Sequence, residues 1–229
     1  MSSEDQKRAA GFAAVDRFVR GGMCVGLGTG STALWAIRRV GELVAAGATI
    51  DAVPTSQATA ELCRELHIPI IGLLDRPIAV AIDGADEVAA DFSLTKGGGG
   101  ALFREKSVAL AAARFIVIVD EKKLVDKLGA FATPVEVVPF AVGWVEREID
   151  RLAPGVAATR RGEGTPFVTD NGNAILDCHF GTIDDPATLA RNLRAIHGVV
   201  DTGLFIACTD EVVVAGSAGV RFLRGLAPA

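Results

Sequence analysis

Two short segments between residues 83 and 106 hold acidic, basic and glycine residues in an order that suits proton transfer. The first, Asp83-Gly-Ala-Asp86-Glu, directly follows an apolar run that begins at Ile78. In the second, Lys96 precedes a run of glycines, and Glu105 lies a few residues beyond them. These residues supply a carboxylate base, a cation and backbone N–H donors, which proton abstraction beside a carbonyl requires. We interpret the two segments as a candidate catalytic site.

The elements around these segments are expected to present them at the rim of a sheet. The apolar run before Asp83 has the length of a buried strand, so Asp83 and Asp86 follow a strand end. The glycines after Lys96 open a helical pattern over residues 101–113, and N–H groups at a helix start attract anions. A purely structural interpretation of these segments stays open. Asp-Gly is typical of turns, a run of glycines is typical of flexible loops, and Arg104-Glu-Lys is typical of a solvated helix start.

Another glycine turn follows the first apolar strand, residues 23–27. It reads Gly28-Thr-Gly-Ser-Thr32 and precedes a helical pattern over residues 33–46. A strand, a glycine turn and a helix form the usual cradle for a phosphate group. The turn does not match a dinucleotide fingerprint, because Ser31 occupies the position of the third glycine and no acidic residue ends the next strand, 50–53. A nicotinamide cofactor is therefore not favoured.

The apolar runs predict an α/β fold in two domains. Strands at 23–27, 50–53, 69–74, 78–82 and 115–119 alternate with helices, which indicates a Rossmann-like parallel sheet covered on both faces. From residue 130 the predicted order is strand 134–139, helix 141–152, strand 166–169, an Asn-Gly turn, strand 174–179, helix 186–196 and strand 199–206. This βαββαβ order is typical of a smaller ferredoxin-like α+β domain. We interpret residues 155–164 as a surface loop.

Residues 211–216 add one more apolar strand, which we expect to return to the first sheet. The predicted domains are therefore 1–129 plus 207–229, a Rossmann-like α/β catalytic domain, and 130–206, a ferredoxin-like domain. The second domain is interpreted as a structural or dimer-forming module.

Composition excludes several classes of protein. The net charge of −5 and the pI near 5.3 argue against general affinity for nucleic acid or for anionic membranes. The N-terminal residues lack the apolar core of a signal peptide, and no apolar run reaches the ~18 residues of a membrane span, so we expect a cytoplasmic protein. The cysteines and histidines lie singly, which predicts reduced core thiols and no metal site. The single residues are Cys24, Cys63, Cys178, Cys208, His67, His179 and His197.

The two candidate catalytic segments resemble the signature segments of ribose-5-phosphate isomerase type A. The resemblance rests on Asp83-Gly-Ala-Asp-Glu and on Lys96-Gly-Gly-Gly with Arg104-Glu-Lys. It extends to the glycine turn at 28–32 and to Val168-Thr-Asp-Asn-Gly-Asn. It implies an enzyme that interconverts ribose 5-phosphate and ribulose 5-phosphate in the non-oxidative pentose phosphate pathway, without a metal or an organic cofactor.

The resemblance also implies roles for individual residues. Glu105 would be the general base that moves a proton between C1 and C2 through an enediol. Asp83, Asp86 and Lys96 would assist ring opening and stabilise the oxyanion. The implied substrate-binding residues are Lys7, Thr29, Gly30, Ser31, Thr32, Gly84, Ala85, Gly97, Gly98, Gly99 and Lys123. The implied partner is a small sugar phosphate, and the ferredoxin-like domain suggests a homodimer by analogy.

Two alternatives from other classes stay open at this point. A coenzyme A transferase can share a glycine-loop α/β architecture and use a glutamate nucleophile, but it leaves Asp83, Asp86 and Lys96 without a task. A non-catalytic sugar-phosphate-sensing domain can share the fold, but it has no need of Glu105.

Overall fold

The computed structural model describes residues 2–162 and 164–224. The helices are α1 (Ser3–Phe18), α2 (Ala33–Ala45), α3 (Gln57–Glu65), α4 (Leu102–Ala111), α5 (Val142–Leu152) and α6 (Pro186–Arg194). The strands are β1 (Cys24–Leu27), β2 (Asp51–Pro54), β3 (Ile78–Asp83), β4 (Glu87–Val88), β5 (Leu94–Thr95), β6 (Phe115–Asp120), β7 (Thr133–Val137), β8 (Ala157–Arg160), β9 (Ala174–His179), β10 (Val199–Thr202), β11 (Leu204–Phe205), β12 (Glu211–Gly216) and β13 (Gly219–Arg224). No described helix is long and apolar enough to cross a membrane.

The chain divides into two compact units. The first contains the described residues of Met1–Ala85, Arg104–Leu124 and Cys208–Ala229, and the second contains Asp86–Phe103 and Val125–Ala207. Residues 86–103, 125–129 and 207, which we expected in the first domain, therefore group with the second. The physical reason is that β5 pairs with β4 and with β11, and not with the large sheet, while Val125 and Gly129 donate hydrogen bonds to β4.

The first unit is a Rossmann-like α/β domain. Its six-stranded sheet has the order β13-β12-β6-β3-β1-β2, and all pairs are parallel except β12 with the edge strand β13. β1, β6 and β12 are buried along their whole length, as expected of a parallel sheet covered on both faces. The predicted return of residues 211–216 to this sheet is confirmed, whereas β13 was not predicted.

The second unit contains the predicted ferredoxin-like sheet. Its strand order is β10-β7-β9-β8, with antiparallel pairing throughout. With the helices α5 and α6 between strands, this is the βαββαβ arrangement. Its core is built from one face of the sheet and the apolar stripes of both helices, and includes Val135, Val145, Leu176 and Leu193.

Several predicted elements of the chain are wrong in detail. Residues 69–74 do not form a strand: Ile70 makes one isolated bridge to Ala52, and the chain turns at Gly72, whose N–H donates to the Asp75 carboxylate at 2.7 Å. The predicted strand 199–206 is divided at Gly203, because β10 pairs with β7 and β11 pairs with β5.

The strand that pairs with β9 is also not the predicted one. Residues 166–169 lie outside any strand, and β8, inside the segment interpreted as a loop, pairs with β9 instead. The Asn-Gly segment does turn, but its side chains serve the buried Glu136. Glu136 Oε1 accepts hydrogen bonds from the side chains of Thr169, Asn171 and Asn173 at 3.0, 3.2 and 2.8 Å. The Thr169 N–H donates to the Asn173 carbonyl at 2.9 Å and closes the turn, but residues 166–168 do not pair with β9.

The thiols of Cys24, Cys63 and Cys178 are free and lie in the core, as predicted. Cys24, Cys63 and Cys178 are buried, and Cys208 is half-buried. Burial raises the pKa of the Cys63 thiol to about 11 and that of Cys178 to about 12.

Candidate functional site

The carboxyl ends of three neighbouring strands in the first unit carry predicted site residues. β3 lies between β1 and β6 in the sheet and runs parallel to both, so their carboxyl ends share one edge. The Gly28–Thr32 turn follows β1, Asp83 ends β3, and Lys123 lies in a short 3₁₀ helix after β6. Ligands of open parallel sheets bind at this edge. The prediction that these residues follow strand ends is confirmed, and their role in binding stays a prediction.

Asp83 is held by two backbone N–H groups. Its Oδ1 accepts hydrogen bonds from Thr29 N at 3.1 Å and from Gly84 N at 2.7 Å, and the residue is 2% exposed. Glycine is required at position 28, because a Cβ there would lie 2.0 Å from Asp83 Oδ1. The two strand ends thus fix the position of this carboxylate.

The Thr29 hydroxyl lies in a cluster of hydroxyl groups. Its Oγ1 is 2.7 Å from Thr55 Oγ1, 2.8 Å from Ser56 Oγ and 3.1 Å from Thr59 Oγ1. Thr59 also donates to the Gly28 carbonyl at 2.8 Å, and Ser56 caps α3 by accepting from Thr59 N. This cluster ties the glycine turn to the start of α3, so both polar groups of Thr29 have protein partners.

The next three residues of the turn present their amide groups openly. Among the described residues, the N–H groups of Gly30, Ser31 and Thr32 have no hydrogen-bond acceptor. Gly30 has a φ of +110°, which glycine adopts without strain. These N–H groups precede α2, whose positive dipole end favours an anion. A cavity of about 250 Å³ adjoins them and is lined by Thr29, Gly30, Ser31, Leu34, Ile37, Ala58, Thr59 and Leu62.

The remaining predicted residues of the first unit are Ala85, one acid and two lysines, and Ala85 is half-buried directly after Gly84. Glu105 lies in the first turn of α4 and is 4% exposed. Lys123 and Lys7 are half-buried, and neither forms an ion pair within residues 2–162 and 164–224. Trp35 Nε1 donates to Glu4 at 2.9 Å, so the first turn of α1 lies beside the first turn of α2. Lys7, three residues after Glu4, shares that helix face.

The glycine loop after Lys96 belongs to the second unit and is bonded to Asp86. Gly98 N–H donates to Asp86 Oδ2 at 2.8 Å, and Asp86 N–H donates to the Thr95 carbonyl at 2.8 Å. Gly97 and Gly100 have φ values of +99° and +82°. A Cβ at Gly100 would lie 2.3 Å from Phe167 Cζ, so glycine is needed at this position for space as well as for conformation.

Lys96 is buried, with 2% of its surface exposed. Its backbone N–H donates to the Gly203 carbonyl at 2.8 Å, and its Nζ lies 5.4 Å from the centroid of the Phe205 ring. A cation held against an aromatic face is stabilised in a desolvated setting. The fold thus keeps a lysine side chain inside the protein, at the start of the glycine loop.

Sequence reasoning missed two side chains that support this loop. Arg161 donates from Nη1 to the carbonyls of Gly97 and Gly98 at 2.8 and 3.1 Å, and from Nε to Asp177 at 2.9 Å. Its position in a presumed surface loop hid this role, and no local signal indicates it. Glu87, which is 3% exposed, accepts from Thr95 Oγ1 at 2.8 Å and from the N–H groups of Gly129 and Phe131 at 3.0 and 2.8 Å.

The described residues contain no group of three or more His, Cys, Asp or Glu side chains placed to hold a metal ion. The strand ends of the first unit present carboxylates, a lysine and backbone N–H donors, and the glycine loop of the second unit presents groups of the same kinds. Groups of these kinds suit proton transfer and the binding of anionic oxygens.

Comparison with known proteins gives consistent results. A family model described as ribose 5-phosphate isomerase A (phosphoriboisomerase A) matches residues 51–219. A ribose-5-phosphate isomerase A from Parvibaculum lavamentivorans is 47% identical over 231 residues, which covers 98% of this chain and 100% of the relative. The solved structure of ribose 5-phosphate isomerase A from Methanocaldococcus jannaschii is 41% identical with a TM-score of 0.92, covering 97% of this chain and 100% of that one. A structure of D-ribose-5-phosphate isomerase in complex with phospho-erythronic acid is 39% identical with a TM-score of 0.93, covering 98% and 100%.

Proposed function

Because this chain belongs to the ribose 5-phosphate isomerase A family, we propose that it interconverts D-ribose 5-phosphate and D-ribulose 5-phosphate through an enediol. The observation that carries this proposal is the similarity to such isomerases over nearly the whole length of the chain. The residues at the strand ends and in the glycine loop support it, because they are the groups that an aldose–ketose isomerisation uses.

Glu105 is the general base in this proposal. Its carboxylate removes the proton from C2 of the open-chain aldose while the C1 carbonyl oxygen gains a proton, which gives the enediol. The same carboxyl group then returns a proton to C1 as the O2 hydroxyl loses its own, which gives the ketose. A C–H beside a carbonyl is a weak acid, so positive charge is needed where the oxyanion forms. Lys96 and the N–H groups of the glycine loop supply it.

The aspartates act before the proton transfer. Ribose 5-phosphate is mostly a closed ring, so the anomeric hydroxyl must lose a proton and the ring oxygen must gain one before the carbonyl exists. We assign Asp83 and Asp86 to this step, because a carboxyl group can accept one proton and donate the other. The N–H groups that hold Asp83 from Thr29 and Gly84 keep it in place for this task.

The phosphate binds at the start of α2 and between the lysines. The N–H groups of Gly30, Ser31 and Thr32 are open in the described structure and lie at a positive helix end. Lys7 and Lys123 add positive charge without competing ion pairs among the described residues. Thr29 orients the turn through its hydroxyl cluster, and Gly84 and Ala85 contact the sugar by their backbone. Neither a metal nor an organic cofactor takes part.

The proposal extends to the location, the assembly and the pathway of the protein. We infer a cytoplasmic homodimer that acts in the non-oxidative pentose phosphate pathway. Large apolar side chains on the second unit support self-association, because Phe140 is 100% exposed, Trp144 45% and Val138 43%. Sedimentation equilibrium of the wild type and of Phe140→Ser is the test. A wild type that sediments as a monomer would contradict the dimer.

The experiment that tests the activity follows ribulose 5-phosphate formation from ribose 5-phosphate in D₂O with EDTA present. An enediol made by a carboxylate base exchanges its proton with solvent, so deuterium should appear at C1 of the ketose. Turnover that ceases with EDTA would contradict the metal-free mechanism. A covalent acyl-glutamate with an acyl-CoA donor would favour the transferase, and binding without turnover would favour the sensor.

A further inference from the structure

One peptide unit of the glycine loop is held from both ends. The Gly97 carbonyl accepts from Arg161 Nη1 at 2.8 Å, and the N–H of the same peptide unit, on Gly98, donates to Asp86 at 2.8 Å. Carbonyl and N–H point in opposite directions in a trans peptide. Arg161 and Asp86 therefore lie on opposite sides of the loop.

The next peptide unit is held at its carbonyl alone. The second hydrogen of Arg161 Nη1 goes to the Gly98 carbonyl at 3.1 Å, so the Gly99 N–H points away from the guanidinium. Within the described residues this N–H donates to no protein acceptor, whereas Gly98 N–H and Gly100 N–H both have one. Gly99 is exposed. An open N–H donor is thus fixed in direction by an arginine on the other side of its peptide.

Arg161 is itself held by a second side chain and a ring. Asp177 receives hydrogen bonds from its Nε and Nη2, and the side chains of the pair are only 16% and 24% exposed. The guanidinium carbon also lies 5.6 Å from the centroid of the Phe167 ring, the same ring that packs against Gly100. A paired, half-buried guanidinium has little freedom, so it can fix the peptides that it touches.

We infer that Arg161, held by Asp177, is a positioning residue of the isomerase: it orients the Gly98–Gly99 peptide so that the Gly99 N–H donates to the developing oxyanion of the substrate. The inference rests on the proposed function. The positive charge on the carbonyl end also polarises the peptide, which makes the N–H at the other end a stronger donor. Arg161 acts through the loop and does not touch the substrate.

Arginine suits this task better than lysine. Four of its N–H bonds are used, two on the glycine carbonyls and two on Asp177, and a planar fork can make both sets together. A lysine ammonium group can bind either the glycine carbonyls or Asp177, but not both. Arg161→Lys should therefore keep part of the activity.

The test compares Arg161→Ala, Arg161→Lys and Asp177→Asn with the matched control Arg160→Ala. Arg160 is the neighbouring residue, but it is 64% exposed and pairs with Glu146, away from the loop. We expect kcat to fall about 10- to 100-fold in Arg161→Ala with KM changed less than about threefold, because loss of an oxyanion donor acts mainly on the transition state. Arg161→Lys and Asp177→Asn should lie between it and the wild type, and Arg160→Ala should match the wild type.

Two further measurements separate positioning from a structural role. A cavity of about 430 Å³ adjoins the guanidinium group and is lined in part by Gly98, Phe131, Arg161, Asp177 and His179. In Arg161→Ala, a small ion can enter through this cavity and occupy the position of the missing guanidinium group. Guanidinium ion, at concentrations well below those that unfold the protein, should restore activity to Arg161→Ala, and urea should not. Phospho-erythronic acid, whose carboxylate carries shared negative charge as an enediolate does, should lose affinity in step with kcat, while inorganic phosphate should bind as before.

These outcomes keep the inference apart from the proposed function. An inactive wild type would refute the proposed function, and the inference falls with it. An active wild type with Arg161→Ala and Arg160→Ala equally active would refute the inference alone. The inference is also refuted if kcat falls only in proportion to the unfolded fraction, or if guanidinium and the lysine variant restore nothing.

Discussion

A methyl group added at Gly28 would test the position of the Asp83 carboxylate. In Gly28→Ala the new Cβ would lie 2.0 Å from Asp83 Oδ1 and 2.1 Å from its Cγ. An ordinary carbon–oxygen contact needs more than 3 Å, so the carboxyl group has to move by roughly 1 Å. The backbone at residue 28 is not in the left-handed region, so crowding is the whole effect of the change.

Two consequences follow from that displacement. The carboxylate gives up the hydrogen bonds from Thr29 N and Gly84 N, at 3.1 and 2.7 Å. With the packing strain, we expect the free energy of unfolding to fall by about 3 kcal/mol. A displacement of about 1 Å in a catalytic group costs on the order of a hundredfold in rate, so kcat should fall about 100-fold in folded protein.

The assay combines urea unfolding with steady-state isomerisation of ribose 5-phosphate. Gly143→Ala is the matched control, because a Cβ there meets nothing within 4 Å and the residue lies in α5. The control should be as active as the wild type and as stable or up to about 1 kcal/mol more stable. The reasoning is refuted if Gly28→Ala unfolds within about 0.5 kcal/mol of the wild type and keeps kcat within about threefold.

Two further changes probe the support of the site and the core. Glu87→Gln places an amide NH₂ group where the carboxylate accepts hydrogen bonds from Thr95 Oγ1, Gly129 N and Phe131 N. We expect the free energy of unfolding, measured in urea, to fall by about 3 kcal/mol. An unchanged free energy would contradict the role of Glu87 as an anchor. Burial raises the pKa of Cys178 to about 12, so above pH ~8.5 the unfolded thiol releases a proton that the folded thiol keeps. The free energy of unfolding should therefore fall as the pH rises towards 11. The fall should be smaller in Cys178→Ala than in the wild type, by about 1.4 kcal/mol per pH unit. Equal slopes for the two proteins would contradict a core thiol that stays protonated.

Strand-end reasoning predicted the first unit well. Unbroken apolar runs end at Leu27 and Asp83, and a parallel sheet brings such ends to one edge, so the turn at 28–32 and Asp83 could be placed without a structure. The same rule applies to Thr55 and Ser56, which follow β2. We did not predict that their hydroxyls bond to Thr29.

The second unit was harder to predict from the sequence, because its key contacts join residues that are far apart in the chain. β8 has a mostly exposed pattern, Ala-Ala-Thr-Arg, and lacks the apolar alternation that marks a strand. Arg161 donates hydrogen bonds to Asp177 on β9 and to the carbonyls of Gly97 and Gly98, which lie 64 and 63 residues away in the sequence. The sequence around Arg161 does not indicate any of these partners. Glu136 likewise accepts hydrogen bonds from Thr169 and from the asparagines of the turn, more than 30 residues away, and no local signal indicates these contacts.

The most direct test of the account is the activity of Glu105→Gln. Glutamine keeps the shape of the buried side chain but cannot accept the C2 proton, so kcat should fall roughly 10²- to 10⁴-fold, with deuterium incorporation from D₂O falling in step. Glu61→Gln, an exposed glutamate on α3, is the matched control and should behave as the wild type. If folded Glu105→Gln keeps more than about a tenth of the wild-type rate, another group moves the proton and the central claim is wrong.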